Sequence, residues 1–109
     1  MKLEGKIAII TGAGDGLGKQ VALKLAKEKV SLALIARNKD KLDEVKKELE
    51  KLGSPRVIGY PCDIQDTEQI KTTIQKINVD FGKVDILLNI AGIWQKLNLL
   101  EDIPESEID

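Results

Sequence analysis

The 109-residue sequence contains no histidine, one cysteine and only two arginines among its 17 basic residues. The absence of imidazole excludes histidine metal ligands and every acid–base mechanism that depends on histidine. Cys62 cannot form an internal disulfide, and a lone cysteine is typical of a reducing compartment. Because no signal-like segment precedes the first apolar run, we expect a cytoplasmic protein.

Strong net charge and long apolar runs are also missing. Lysine and arginine number 17 and aspartate and glutamate 18, so the net charge of −1 offers no electrostatic basis for binding nucleic acid or an anionic membrane. No apolar run approaches the ~18 residues that a membrane-spanning helix requires. A hydrophobic content of 42% and a charged content of 32% indicate one small globular domain over residues 1–109.

Four apolar runs alternate with three amphipathic runs. The predicted strands are 6–11, 30–36, 56–61 and 84–90, and the predicted helices are 17–29, Lys39–Leu52 and 67–81. The strands are apolar on both faces, as expected for parallel strands that helices cover on two sides. Right-handed crossovers then place the strands in the order 3-2-1-4. The sequence therefore predicts a three-layer α/β/α fold with a four-stranded parallel sheet.

Apolar residues at helical spacing predict the buried side of each helix. In chain order they are Leu17, Val21, Ala22, Leu25 and Ala26, then Leu42, Val45, Leu49 and Leu52, then Ile70, Ile74, Ile77 and Phe81. Either Asn38 or Asp40 can cap the second helix, and Gly53 can end it. Asp66 with Gln69 three residues later resembles a capping box at the start of the third, which Gly82 ends.

The most informative stretch joins the first strand to the first helix through a turn dense in glycine. Gly12, Gly16 and Gly18 follow the spacing Gly-x-x-x-Gly-x-Gly. Bare N–H groups at the positive end of a helix dipole suit a phosphate. We assign Gly12 to the turn, Gly16 to close approach of a ligand and Gly18 to helix–strand packing. The turn therefore predicts a nucleotide site, and a flexible loop is the alternative. The predicted contacts with the nucleotide in this turn are Thr11, Gly12, Gly14, Asp15, Gly16, Leu17 and Gly18.

The end of the second strand predicts which dinucleotide is bound. A site that prefers NAD usually has an acidic residue there, against the ribose hydroxyls. This chain has Ile35, Ala36 and Arg37, followed by Asn38. A guanidinium suits the 2′-phosphate of NADP through paired charged hydrogen bonds. We therefore expect NADP ahead of NAD, with Asp15 in the phosphate turn opposing that preference and a solvated arginine as the alternative.

Two further strand ends carry candidate contacts. In an open parallel sheet, ligands bind at the carboxyl ends of the strands where the strand order reverses, here between strands one and four. Asp63 follows strand three and either accepts from the amino group of adenine or caps the turn into the next helix. Ile64 follows it, and Asn89, Ala91 and Gly92 stand at the end of strand four, where small residues let a ligand lie against the main chain.

Taken together, these residues resemble the N-terminal part of the short-chain dehydrogenase/reductase family. The matching residues run in order as Thr11-Gly12-x-x-x-Gly16-x-Gly18, then Asp63, then Asn89-x-Ala91-Gly92. The resemblance covers essentially the whole chain and implies a Rossmann-like fold with NAD(P)(H) as the partner. In the family the glycine turn receives the pyrophosphate, the aspartate faces the adenine, and an Asn-Asn-Ala-Gly segment braces the sheet beside the cofactor. Ile90 replaces the second asparagine of that segment, so only main-chain contacts are expected from it.

In the family that this chain resembles, a Tyr-x-x-x-Lys pair carries the chemistry with help from a serine and a further asparagine. All of these residues lie later in the fold. The only tyrosine here is Tyr60, inside the third predicted strand, and Ile64 stands four residues on. The resemblance thus implies an NAD(P)-dependent oxidoreductase represented by its cofactor-binding half and inactive alone. A stand-alone nucleotide-binding or regulatory module is one alternative, and a folding model without a biological role is another.

The last residues of the chain bear on its partners. Residues 95–109 are polar and acidic, and Pro104 is typical of a helix entry, so we expect a fourth helix to begin where the sequence stops and the domain to be truncated. Strand four would then lack the fifth strand that covers it in a full-length relative. Its apolar edge over 84–89 predicts self-association on that side of the sheet, and covering of the edge by the residues after Gly92 is the alternative.

Overall fold

The computed structural model describes residues 3–14 and 16–90. Its elements are β1 (Ile7–Thr11), α1 (Gly16–Lys27), β2 (Ser31–Ala36), α2 (Lys39–Leu52), β3 (Val57–Pro61), α3 (Thr67–Phe81) and β4 (Ile86–Asn89). All seven predicted elements are present, and their ends differ from the predicted ends by two residues at most, as frayed ends do. Predictions made for Asp15, Ala91, Gly92 and 95–109 fall outside the described residues.

The four strands form one parallel sheet in the order β3-β2-β1-β4. Strand β1 pairs with β2 from Ile7↔Ser31 onward and with β4 from Ala8↔Ile86 onward. The predicted Rossmann-like α/β architecture and strand order are therefore confirmed. The order of the strands reverses between β1 and β4, where an open parallel sheet has its crevice. Within the described ranges, no helix is both long and apolar enough to cross a membrane.

Two clusters of apolar side chains hold the helices to the sheet. Helices α1 and α2 cover one face, where Ile10, Leu34 and Leu49 are fully buried, and α3 covers the other face through Ile77. Each such side chain contributes about 1.5–3 kcal/mol when it is withdrawn from water. Strands β1 and β2 are thus buried on both faces, as predicted.

Strand β4 departs from that prediction, because its side chains alternate between half-buried and exposed. Leu87 is 62% exposed on the α3 side of the sheet. The cluster under α3 draws its sheet residues from β1, β2 and β3. Two-sided burial was therefore a wrong expectation for β4: among the described residues, no helix covers that side of the strand.

The helices bury most of the predicted side chains and leave two of them exposed. Ala22, Ala26, Leu42, Val45, Leu49 and Ile77 are buried, and Val21, Leu25, Ile70, Ile74 and Phe81 are half-buried. Leu17 is 53% exposed and Leu52 is 38% exposed, so their predicted burial is wrong. Both lie in a terminal helical turn, beyond the part of the helix that rests on the sheet. Asn38, and not Asp40, caps α2, while Gly53 and Gly82 end α2 and α3 as predicted.

Candidate nucleotide-binding site

The turn between β1 and α1 adopts backbone angles that favour glycine. Gly12 has φ 71° and Gly16 has φ 58°, both in the left-handed region. A Cβ on Gly16 would meet no atom within 4 Å. The demand for glycine at this position is therefore conformational, and the space beside its backbone is open to a ligand.

Gly18 has a different reason to be glycine. A Cβ at this position would lie 1.9 Å from the carbonyl oxygen of Gly12 and 2.7 Å from its carbonyl carbon. The first turn of α1 therefore approaches the turn after β1 more closely than any other residue type permits. The packing role that we assigned to Gly18 matches this geometry.

Main-chain hydrogen bonds hold three strand ends at one edge of the sheet. The Gly12 N–H donates to the Ile35 carbonyl oxygen over 2.8 Å, which ties the glycine turn to the end of β2. The Cys62 N–H donates to the Ala36 carbonyl oxygen over 2.9 Å, which ties the end of β3 to the end of β2. The glycine turn, the segment after β2 and the segment after β3 consequently surround one cleft.

That cleft has a volume of about 310 Å³. Its walls come from the glycine turn, the end of β2, the first turn of α2 and the end of β3, and they consist of Gly12, Gly14, Ile35, Ala36, Arg37, Asn38, Lys41, Cys62 and Ile64. Five of the predicted contacts belong to this lining, namely Gly12, Gly14, Arg37, Asn38 and Ile64. Thr11, Gly16, Leu17, Gly18, Asp63 and Asn89 lie outside it.

Lys41 is the charged lining residue that the sequence reasoning missed. It lies in the first turn of α2, four residues after Arg37, and this place just beyond the end of β2 was the available signal. A Cβ on Gly14 would lie 3.5 Å from the Lys41 Cβ and 3.7 Å from its Cδ. The lysine stem therefore runs beside the glycine turn. Cys62, interpreted from the sequence as a small buried filler, is buried but also lines the cleft.

The cleft carries positive charge at the end of β2. Arg37 and Lys41 are both exposed there, and no carboxylate among the described residues pairs with the Arg37 guanidinium. The Asn38 Oδ1 accepts from the Lys41 backbone N–H over 3.1 Å, so Asn38 fixes the start of α2 beside both cations. An anionic group in this cleft would meet the guanidinium without displacing a carboxylate of the residues that the structure describes.

At the reversal of strand order, Thr11 and Asn89 join the ends of β1 and β4. They are register partners, and the Thr11 Oγ1 donates to the Asn89 Oδ1 over 2.9 Å. The bond braces the crevice edge between the two strands. Both side chains therefore stand where the strand order predicted, although they do not line the cleft.

Asp63 takes part in the turn after β3, which is one of its two predicted roles. Its Oδ1 accepts from the Gln65 backbone N–H over 2.9 Å. The flanking residues Cys62 and Ile64 line the cleft, while Asp63 itself does not. The adenine contact stays a prediction.

The predicted capping box at the start of α3 is only half formed. The Asp66 Oδ1 accepts from the backbone N–H groups of Glu68 and Gln69 over 3.0 and 3.2 Å, as an N-cap should. In a capping box the Gln69 side chain would accept from the Asp66 N–H. That N–H instead donates to the Asp63 carbonyl oxygen over 2.9 Å, and the Gln69 Oε1 accepts from the Asp63 N–H over 3.0 Å.

Tyr60 belongs to the packing of α3 and not to the cleft. Its hydroxyl donates to the Asp80 Oδ2 over 2.7 Å, at the end of α3. Burial and this hydrogen bond raise the pKa of Tyr60 well above its ordinary value of 10.0. Arg56 stacks on the Phe81 ring, with its guanidinium carbon 4.9 Å from the ring centroid, and donates to the Asp80 carbonyl oxygen. The phenol is therefore fixed to a structural partner.

Comparison with known proteins places this fold and this site in context. The family model described as short chain dehydrogenase matches residues 6–109. An 11-beta-hydroxysteroid dehydrogenase-like protein of Arabidopsis thaliana is 42% identical over 101 residues, which cover 93% of this chain and 32% of the relative.

Among solved structures, NAD⁺-bound xylitol dehydrogenase has a TM-score of 0.75 and 33% sequence identity to this chain. The match covers 80% of this chain and 33% of the xylitol dehydrogenase chain. L-sorbose reductase of Gluconobacter frateurii, complexed with NADPH and L-sorbose, has a TM-score of 0.75 and 32% sequence identity to this chain. The match covers 80% of this chain and 34% of the reductase chain. The chain thus spans about a third of the length of the relatives it matches. With the family model matched along nearly all of its residues, the chain belongs to the short-chain dehydrogenase family.

Proposed function

We propose that this chain is the dinucleotide-binding part of an NADP(H)-dependent oxidoreductase. The observation that carries the proposal is the cleft at the end of β2, where the exposed cations Arg37 and Lys41 stand beside the glycine turn. Family membership supports the oxidoreductase class, and the strand order supports a ligand across the carboxyl edge of the sheet.

The parts of a dinucleotide can be assigned to parts of this edge. The pyrophosphate would lie against the glycine turn, where the open backbone at Gly16 and the start of α1 favour negative charge. The adenosine half would occupy the cleft, with the ribose at the end of β2 and the base toward Ile64. Leu17, exposed at the first turn of α1, would be covered by the half that carries the nicotinamide.

The choice of NADP over NAD rests on charge. The two solved structures were found with NAD⁺ and with NADPH respectively, so likeness alone favours neither cofactor. A charged hydrogen bond contributes roughly 1.5–3 kcal/mol. Exposure of Arg37 places its contribution near the lower end of that range, and about 1.4 kcal/mol is a factor of ten in affinity. We therefore expect NADPH to bind on the order of tenfold more tightly than NADH.

The chain by itself is proposed to bind the cofactor without reducing a substrate. The hydroxyl of its only tyrosine is bonded to Asp80 at the end of α3, and Tyr60 is not part of the lining of the cleft. General acid–base help of the kind that a tyrosine supplies is typically worth ~100- to 10,000-fold. A nucleotide-binding module without catalysis is the second candidate, and both candidates share the cofactor site. Oxidation of NADPH that depends on an added ketone, catalysed by the 109-residue chain, would contradict the inactive form of the proposal.

Calorimetric titration with NADPH and NADH, at low and high salt, tests the cofactor assignment. We expect a preference for NADPH that Arg37→Ala removes and that high salt weakens. Lys39→Ala is the matched control, because Lys39 is an exposed cation at the start of α2 that does not line the cleft. Equal affinities in the unmodified chain, unchanged by Arg37→Ala, would overturn the choice of NADP. Failure to bind either dinucleotide would overturn the proposed function.

A further inference from the structure

We propose that Gln69 is a positioning residue for the adenine end of the dinucleotide, acting through Asp63. The inference rests on the proposed function and deepens it. Gln69 lies in the first turn of α3, and it reaches back to the residue that follows β3 rather than to the cap of its own helix. A side chain of the helix start is thereby joined to the edge of the cleft.

Both ends of the Gln69 amide are engaged. Its Oε1 accepts from the Asp63 N–H over 3.0 Å, and its Nε2 donates to the Asp66 Oδ2 over 3.1 Å. If the amide oxygen and nitrogen were exchanged, the amide NH₂ would face the Asp63 N–H, and the amide oxygen would face the Asp66 carboxylate. Neither pair could form a hydrogen bond. The orientation of the amide is therefore determined, and it aligns the Asp63 N–H with the N-cap of α3.

Asp63 is consequently held at three points. Gln69 accepts from its N–H, the Asp66 N–H donates to its carbonyl oxygen over 2.9 Å, and the Gln65 N–H donates to its Oδ1 over 2.9 Å. Two of these bonds hold the Asp63 backbone, and the third holds the carboxylate through Oδ1. In the described part of the chain no group donates to the second carboxylate oxygen, Oδ2, which is left to accept from a ligand.

The position of Asp63 relative to the cleft indicates the ligand group. Cys62 and Ile64 on either side of it line the cleft, so the Asp63 main chain runs beside that space although its side chain is not part of the lining. A carboxylate oxygen accepts from an N–H donor, and among the parts of a dinucleotide the exocyclic amino group of adenine is such a donor. A fixed carboxylate would distinguish adenine from a purine that carries a carbonyl oxygen at the same position.

Helix α3 does not depend on Gln69 for its cap. Asp66 alone satisfies two of the free N–H groups at the start of the helix, and the Asp66 N–H has its own acceptor. Removing the Gln69 amide therefore leaves the N-cap in place. The expected consequence is a loss of base discrimination greater than the loss of stability.

The test measures the affinity for NADPH and for its hypoxanthine analogue, in which a carbonyl oxygen replaces the adenine amino group. We expect the unmodified chain to bind NADPH roughly tenfold more tightly than the analogue, and Gln69→Leu to reduce that ratio to below about threefold. The affinity for the analogue itself should change little. Gln75→Leu is the matched control, an exposed glutamine of α3 for which the structure shows no contact with Asp63.

Gln69→Glu supplies a second variant. Its carboxylate keeps an acceptor for the Asp63 N–H but loses the donor to the Asp66 Oδ2. Because the bond to Asp63 is the one that positions it, the discrimination should be retained, and this variant decides the matter if Gln69→Leu does not fold. Discrimination that survives in Gln69→Leu, or that is lost equally in Gln69→Glu, would overturn the positioning role while leaving the proposed function intact. Equal binding of NADPH and the analogue by the unmodified chain would also overturn it. Failure of both ligands to bind would instead contradict the proposed function.

Discussion

The carbonyl oxygen of Gly12 lies 1.9 Å from the position that a Cβ on Gly18 would occupy. The oxygen belongs to the main chain of a turn that is itself hydrogen-bonded to β2, so neither partner can move aside cheaply. The helix that starts at this turn is thereby set against the end of β1. This single contact sets the first turn of α1 beside the glycine turn, and Gly12 and Gly14 of that turn line the cleft.

Gly18→Ala should destabilise the chain by at least about 1–3 kcal/mol, because the added methyl forces the helix away from the turn. Denaturant unfolding, followed by circular dichroism, measures the change. Gly14→Ala is the matched control, since a Cβ there meets Lys41 at an ordinary 3.5 Å and should alter stability by no more than about 0.5 kcal/mol. Equal stabilities of the two variants would show that the close approach is not as tight as described.

The cofactor preference should reverse when the charges at the end of β2 are exchanged. Ala36 lines the cleft beside Arg37, and Ala36→Asp combined with Arg37→Ala supplies an acceptor for the ribose hydroxyls while repelling a 2′-phosphate. We expect NADH to bind more tightly than NADPH in this double variant, measured by calorimetric titration. Arg37→Ala alone is the control and should bind the two cofactors about equally. A double variant that still prefers NADPH would contradict a ribose site at this position.

Tyr60→Phe should lower stability in a manner that depends on pH. Burial and the hydrogen bond to Asp80 raise the pKa of the folded tyrosine, so the unfolded chain loses this proton first as the pH rises. The stabilisation of about 1 kcal/mol is therefore complete below pH ~10 and diminishes above it.

Urea unfolding of both chains at pH 8 and about pH 10.5 measures the effect of this substitution. The difference in stability between the two chains at each pH isolates the contribution of the Tyr60 hydroxyl. Affinity for the cofactor should be unchanged, because Tyr60 does not line the cleft. An advantage of the unmodified chain that grows with pH would contradict the direction of the shift.

We propose that the 109-residue chain associates with a second copy along β4. This strand is the last in the described sheet, and Leu87 is 62% exposed on it. In light scattering, the average mass of the Leu87→Lys variant should increase less with protein concentration than that of the unmodified chain. Val79→Lys is the matched control, since Val79 is 84% exposed but lies on α3. A chain that is monomeric at all concentrations, or equal effects of the two substitutions, would contradict association through this strand.

Much of the fold could be read from the sequence because its signals are local. Apolar runs, helical spacing and the residues that start and end helices depend on a few neighbours along the chain. The left-handed angles of Gly12 and Gly16 likewise follow from the spacing of a tight turn. Burial was predicted less well at Leu17, Leu52 and Leu87, because exposure depends on what lies across from a side chain and not on its own neighbours.

By itself, the sequence determined the βα alternation, the strand order and the glycine turn, since chain connectivity and backbone sterics leave few alternatives. It also indicated Arg37 as the residue at the end of β2. Only the tertiary structure decided that Lys41 lines the same cleft and that Gln69 bonds to Asp63 instead of completing its own cap. These contacts join separate elements, and their geometry is set by how α2 and α3 pack on the sheet, which no local pattern encodes.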